Sequence, residues 1–219
     1  MTKAGKPVLP VCTYQFPYDS PTSFVDLANM ITSVGIGADL GGGALLTDDP
    51  QLLTAASSIL TLEARHDSYL RAGVGGSPFP TAFDTSLPAV FAYNLAQPFI
   101  KECPKEAQLP IPMLPKLTLT SPPPSPKLVP VAEGTPLTFQ YDVQHVQADS
   151  SAKIYIGVIN LVTNVTYIEA QNLGGGNVQI PAPKAVGAAF AVLTTQAGLT
   201  EDRLANGGAL AGPAEVILS

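Results

Sequence analysis

Glu63 and His66 lie three residues apart in the run ILTLEARHDSYLR, a spacing that sets both side chains on one face of a helix. A carboxylate and an imidazole so placed can hold a metal or exchange a proton. Glu-x-x-His is also the step by which four-helix di-metal carboxylate proteins aim ligands into a bundle. Asp39, on the preceding helical stretch, is a third acidic candidate. The helix carrying the pair spans Asp49 to Gly73. Asp49 caps it, Pro50 presets the first turn, and Arg65, Arg71 and Gly73 mark its end. Leu52, Leu53, Ala56, Ile59, Leu60, Glu63, His66 and Leu70 recur along it at helical spacing. The pair therefore falls on the stripe that otherwise reads apolar, and is expected to point inward.

An earlier helix opens at Ser20-Pro21 and runs through Phe24, Leu27, Ala28, Ile31, Val34 and Ala38 to the Gly41–Gly43 run. Gly35 and Gly37 inside it each weaken helix propensity by roughly 1 kcal/mol, which implies close approach of a neighbouring helix. The glycine-rich stretch is no phosphate loop: it lacks a following Lys-Ser/Thr and a preceding strand. Before this helix, Tyr14, Phe16 and Tyr18 alternate in an extended segment laid on a core. After the second helix, residues 73–88 form a loop whose Phe79 and Phe83 are expected to tuck beneath it. Pro88 to Ile100 reads as a short third helix, with Val90, Phe91, Leu95, Phe99 and Ile100 inward.

Beyond Cys103-Pro104 the period changes. Residues 105–136 are a proline-rich connector holding a first strand. From 137 onward apolar residues alternate, as in Leu137/Phe139/Tyr141/Val143, Ile154/Ile156/Val158 and Phe190/Val192, with glycine-rich turns between. About seven short strands so arranged spell an antiparallel β-sandwich, immunoglobulin-like in architecture but without the Cys-Trp-Cys signature. His145 reads as a surface strand residue. The chain is thus α+β in two domains: helical over 1–104, sandwich over 137–219.

Charged residues make up 13% and hydrophobic ones 46%, and 22 prolines with 19 glycines imply a turn-rich packed protein. A net charge of −6 with 11 scattered Lys and Arg argues against nucleic acid or an anionic membrane as partner. No apolar run reaches the roughly 18 residues of a membrane span. Met1 to Pro10 lacks a signal-peptide core. Cys12 and Cys103 suit free thiols in an intracellular protein. Their positions bracketing the helical domain, and the glycosylation acceptor Asn164-Val165-Thr166, favour an exported chain with a disulfide.

CTYQFP (12–17), VGIGADLGGGA (34–44), ILTLEARHDSYLR (59–71), PFPTAFDTSL (78–87), PFIKECP (98–104) and the tail with IPAPKAVGAAFAVLTT and AGPAEVILS together resemble fungal ferritin-like stress-response proteins, relatives of plant desiccation-related proteins. LEARH is the most specific part. The resemblance implies that Cys12 pairs with Cys103, that members are commonly exported, and that Glu63 and His66 stand where metal ligands stand. It also implies two departures. The matched helices correspond to the second half of a four-helix bundle, so the first pair is absent. Where the family has a carboxylate in a Leu-Glu-x-x-Gly-Val setting, this sequence reads Ile31-Thr32-Ser33-Val34-Gly35-Ile36, and Thr32 is no ligand. Asp39 returns to nearly the same face about 10 Å further on and is a displaced carboxylate at best.

Half a bundle leaves apolar helix faces to cover, which predicts either the sandwich or a second chain as the cover. The expected function is a degenerate ferritin-like protein without an intact di-metal site, exported and stress- or surface-associated, with a second copy of itself as partner in a homodimer that completes a four-helix bundle. No cofactor is expected, or, failing that, iron or manganese on Glu63 and His66. The alternative is an enzyme reusing the helical pocket through Asp39, Glu63 and His66. Its chemistry would be metal-dependent oxidation across a dimer, or metal-free acid–base or cyclisation chemistry on a small apolar metabolite.

Overall fold

The computed structural model describes residues 9–122, 130–146, 152–162 and 165–219. Helix α1 spans Pro21–Gly43 and α2 spans Pro50–Gly73. Ser20 and Ser23 form a reciprocal capping box at the start of α1, and Asp49 Oδ1 accepts from the Leu52 amide 3.1 Å away to cap α2. A short 3-10 turn joins the two, which pack antiparallel, with Asn29 against Asp67 and Gly35 against Glu63. A third helix, α3, spans Ala89–Ala96. It is shorter than expected because the chain passes through a 3-10 turn at Gln97–Phe99 into an extended segment.

The glycines of α1 do serve close approach, but mainly of a loop rather than a helix. A Cβ built on Gly41 would stand 1.9 Å from the Leu87 carbonyl oxygen, and one on Gly37 2.9 Å from Leu87 Cδ1. The Leu87 amide donates to the Gly37 carbonyl at 2.9 Å, so backbone meets backbone here. Gly41→Ala is therefore expected to lose about 1–3 kcal/mol through forced backbone shifts, read as a lower urea midpoint at unchanged slope. Gly42→Ala, with nothing within 4 Å, is the matched control.

Strands β1 (Thr13–Tyr14) and β2 (Ile100–Glu102) pair antiparallel, and the Cys12–Cys103 disulfide closes this ribbon. Tyr14, Phe16 and Tyr18 are about half exposed, and pack as a chain of rings, Tyr14 on Phe16, Phe16 on Phe99 and Tyr18 on Phe24.

The remaining strands are β3 (Leu117–Ser121), β4 (Pro136–Tyr141), β5 (Tyr155–Asn160), β6 (Thr166–Glu169), β7 (Gln171–Gly174), β8 (Asn177–Pro181), β9 (Gly187–Thr194) and β10 (Ala211–Leu218). They form two antiparallel sheets, ordered β3-β4-β8-β7 and β10-β9-β5-β6. That is the ABED and GFC order of an immunoglobulin constant-type domain, with β6 added beside β5. The likeness thus extends from architecture to connectivity. Val143 and His145 fall just past β4 in an exposed turn, where His145 Nδ1 lies 2.8 Å from Asp142 Oδ2. The acceptor Asn164 lies outside the described residues.

Period-two alternation places Leu137, Phe139, Ile156, Val158, Val178, Ile180, Ala189, Ala191 and Leu193 in the core between the sheets. β5 and β9 are apolar on their other face too, where Ile159, Phe190 and Val192 meet Val34, Leu87, Val90 and Phe91. The molecule is therefore three layers deep: helices, sheet, sheet. The sandwich covers the apolar side of α1 and α3. No described helix is long and apolar enough to cross a membrane.

Candidate functional site

Helix α2 carries two stripes, not one. Ala56, Leu60, Glu63, Ala64, Asp67 and Arg71 turn towards the protein, and of these only Asp67 and Arg71 are fully buried. Leu52, Ala55, Ile59, Leu62, His66 and Tyr69 follow a 3-4 repeat on an adjacent face and, Leu52 apart, are exposed. The sequence reading merged the stripes. Glu63 sits on the border, half-buried, with its Oε2 3.9 Å from a Cβ built on Gly35. His66 is solvent-exposed, so the two do not share an inward face in this chain. Asp39 lies four residues past Gly35, about 6 Å further along α1, and burial raises its pKa. Thr32 is buried. Among the described residues no three His, Cys, Asp or Glu side chains converge as a metal-holding group.

The structure brings together a different set. Asp67 is 7% and Arg71 6% exposed, and Arg71 Nε donates to Asp67 Oδ2 at 2.6 Å. Ser33 Oγ donates to Asp67 Oδ1 at 3.2 Å and accepts from Arg71 Nη2 at 3.4 Å, while Asn29 Nδ2 also donates to Oδ1. The carboxylate thus accepts three hydrogen bonds from three residues, and its counter-charge comes from one turn further along its own helix. A buried ion survives only when paired and hydrogen-bonded, and this one is both.

The sequence held a signal for this cluster. Asp67 and Arg71 are an i,i+4 acid–base pair in the preferred orientation, and Asn29 and Ser33 are an i,i+4 polar pair on the otherwise apolar face of α1. Asp67 is turned about 100° from His66, so a stripe drawn through His66 leaves Asp67 out.

Above the cluster opens a cleft of about 110 Å³. Ser33 and Ile36 of α1, Ala64, Asp67, Ser68 and Arg71 of α2, residues 78–85 of the loop, and Ala188 and Phe190 of β9 line it. The loop is fixed by Thr85, whose Oγ1 donates to the Ala188 carbonyl at 2.7 Å and accepts from the Leu161 amide at 2.9 Å. Phe79 and Phe83 are 76% and 62% exposed at its rim, rather than tucked beneath the loop. The proline on either side of Phe79 holds the segment extended and turns the ring outward. Asp84, also on the rim, has its pKa raised by desolvation and by the nearby Asp67, an effect Arg71 partly opposes.

On the β10 side, Glu215 pairs in register with Phe190, and its Oε1 is sealed from solvent with no hydrogen-bond partner among the described residues. Burial pushes its pKa up to about 8, against the pull of Arg71, and burial likewise pushes Glu201 up to about 7. A carboxyl with a raised folded pKa binds a proton in the folded state that the unfolded state has released. Stability from these two groups is therefore full below about pH 4.5 and falls as pH rises towards 7 for Glu201 and 8 for Glu215, by at most about 1.4 kcal/mol per pH unit each. Glu215→Gln is expected to flatten the upper part of that decline, measured by urea denaturation from pH 5 to pH 8.5.

The ferritin-like domain family matches residues 1–76, the stretch that contains α1 and α2. Over 113 residues the chain is 36% identical to Protein rds1 of Schizosaccharomyces pombe (strain 972 / ATCC 24843), an alignment covering 51% of this chain and 28% of rds1. The chain therefore spans well under a third of that relative's length. The two matches support the resemblance to the fungal ferritin-like stress-response family.

Proposed function

We propose that this chain is a ferritin-like protein without an intact di-metal site, exported, and associated with stress or the cell surface. The observation that carries the reading is the Asp67–Arg71 pair. The buried carboxylate between the two ferritin-like helices already has a cation, a guanidinium from the same helix, where a metal protein would spend its carboxylates on an ion. Thr32 in place of an expected carboxylate and the outward turn of His66 agree with it. Within one chain, Glu63 and His66 do not fit a di-metal centre. Protein from a culture supplemented with iron and manganese, purified without chelator, is expected to carry well under one metal per chain. Stoichiometric metal that disappears in Glu63→Ala would overturn the reading.

Export is supported by the Cys12–Cys103 disulfide. The stress or surface role rests on the family resemblance.

Self-association is supported by the second stripe of α2. Ile59, Leu62 and Tyr69 are 52%, 43% and 80% exposed along one side of a 24-residue helix, at the 3-4 spacing of a coiled-coil seam. A second copy packed on it would bring two Glu63/His66 sets together. The stripe, from Leu52 to Tyr69, is ~26 Å long and so offers roughly 250 Å² per protomer, about a third of the ~800 Å² of a standard interface. The dimer is therefore expected to be weak, with a micromolar dissociation constant that Leu62→Glu abolishes in sedimentation equilibrium. A monomer at all concentrations would remove this part of the proposal and leave the rest.

The enzyme reading needs Asp39, Glu63 and His66 to face one cleft. The cleft described above is lined by Asp67 and Arg71 instead, so catalysis by the original three is the less supported alternative.

A further inference from the structure

Independently of that reading, the cleft above Arg71 has the makings of a ligand site. Arg71 is 6% exposed and lines the cleft, yet among the described residues its five side-chain donors make only two bonds, one to Asp67 and one to Ser33. Its charge is already balanced by Asp67, so the acceptor that suits its spare N–H groups is a neutral carbonyl oxygen rather than an anion. Asp84 at the mouth supplies the opposite function. It accepts no hydrogen bond from any described residue, and it leaves the lining with one net negative charge once Asp67 and Arg71 cancel. An acceptor of this kind selects an ammonium or amide N–H. The exposed rings of Phe79 and Phe83 flank it and favour a cation further. Ile36 and Phe190 give an apolar wall, and 110 Å³ admits only a handful of heavy atoms.

We infer that this cleft binds a small molecule joining a protonated amine to a neutral carbonyl, the pattern of an amino-acid amide, with its carbonyl oxygen on Arg71 and its amine on Asp84. The three requirements separate it from simpler ligands. A carboxylate meets the uncompensated charge of Asp84, and an alkylamine leaves the donors of Arg71 unused.

The test is a ¹H–¹⁵N NMR titration of the intact chain with alaninamide, and in parallel with propionate and with ethylammonium. Alaninamide is expected to give saturable shifts at the Ser68, Thr81 and Thr85 amides, with a dissociation constant on the order of 1 mM. Asp84→Asn, at an exposed position, is expected to weaken binding about tenfold or more while leaving the melting temperature unchanged. The inference is overturned by an absence of saturable shifts at tens of millimolar, by propionate or ethylammonium binding as tightly as alaninamide, or by unchanged affinity in Asp84→Asn.

Discussion

Asp67→Ala is expected to lower the free energy of unfolding by about 3–5 kcal/mol, the cost of leaving one member of a buried ion pair without its partner. Arg71 is the residue left behind. It sits between α1, α2 and the loop, and only the Ser33 hydroxyl, at 3.4 Å, would remain to receive it. Asn29 would lose its acceptor as well, in a place where its own Oδ1 already lacks a donor among the described residues. The loss should appear as a lower urea midpoint at unchanged slope. The double variant Asp67→Leu/Arg71→Met carries the sharper expectation. Replacing both charges with apolar groups of similar volume removes the desolvation cost along with the attraction, so most of the lost stability should return. A double variant as unstable as Asp67→Ala would mean that the pair supplies net stability, not only that half a pair is harmful.

The second large effect is expected from the disulfide. Cys12 and Cys103 are separated by 91 positions, and opening a loop of that size restores chain entropy to the unfolded state worth about 4–5 kcal/mol. The folded state should hardly notice. The bridge fastens a two-strand ribbon whose Thr13, Tyr14, Lys101 and Glu102 are exposed, well away from both core clusters. Reduction with dithiothreitol, or the Cys12→Ser/Cys103→Ser double variant, should thus lower the thermal midpoint while leaving near-ultraviolet circular dichroism below the transition unchanged. Loss of the folded-state signal on reduction would show instead that the ribbon organises the helices.

Much of the fold could be read from local chemistry. Asp49-Pro50 and Ser20-Pro21 place both long helices to within a residue of where they begin, because caps and proline act through the first turn alone. Period-two alternation found the sandwich strands for the same local reason, except β7, which is exposed at every position and carries no apolar alternation. What it could not show was that β9 is buried on both faces. Phe190 and Val192, read from the alternation as the apolar side of a sandwich strand, face the helices, and Ala189, Ala191 and Leu193 face the opposite sheet. The helices find their cover there, which is a long-range fact.

The candidate site was less legible, and for a geometric reason. A helix advances 100° per residue, so choosing His66 as inward commits Asp67 to the flank, and choosing Asp67 does the reverse. Both stripes of α2 carry apolar residues, and only the position of α1 decides between them. Asn29 and Ser33, facing Asp67 across the interface, settle the matter in the structure. Glu63 lies on the border and fits either choice.

The account depends on Arg71, not a metal, neutralising the carboxylate between the ferritin-like helices. Thermal unfolding in EDTA, and again with Fe²⁺ or Mn²⁺ at 100 µM, all three anaerobic and free of thiol so that the Cys12–Cys103 disulfide stays closed, tests this most directly. A ligand held at a hundred times its dissociation constant would stabilise the folded state by about 2.7 kcal/mol. The account predicts the same midpoint under all three conditions. A midpoint several degrees higher with either metal, and lost in Glu63→Ala, would contradict it.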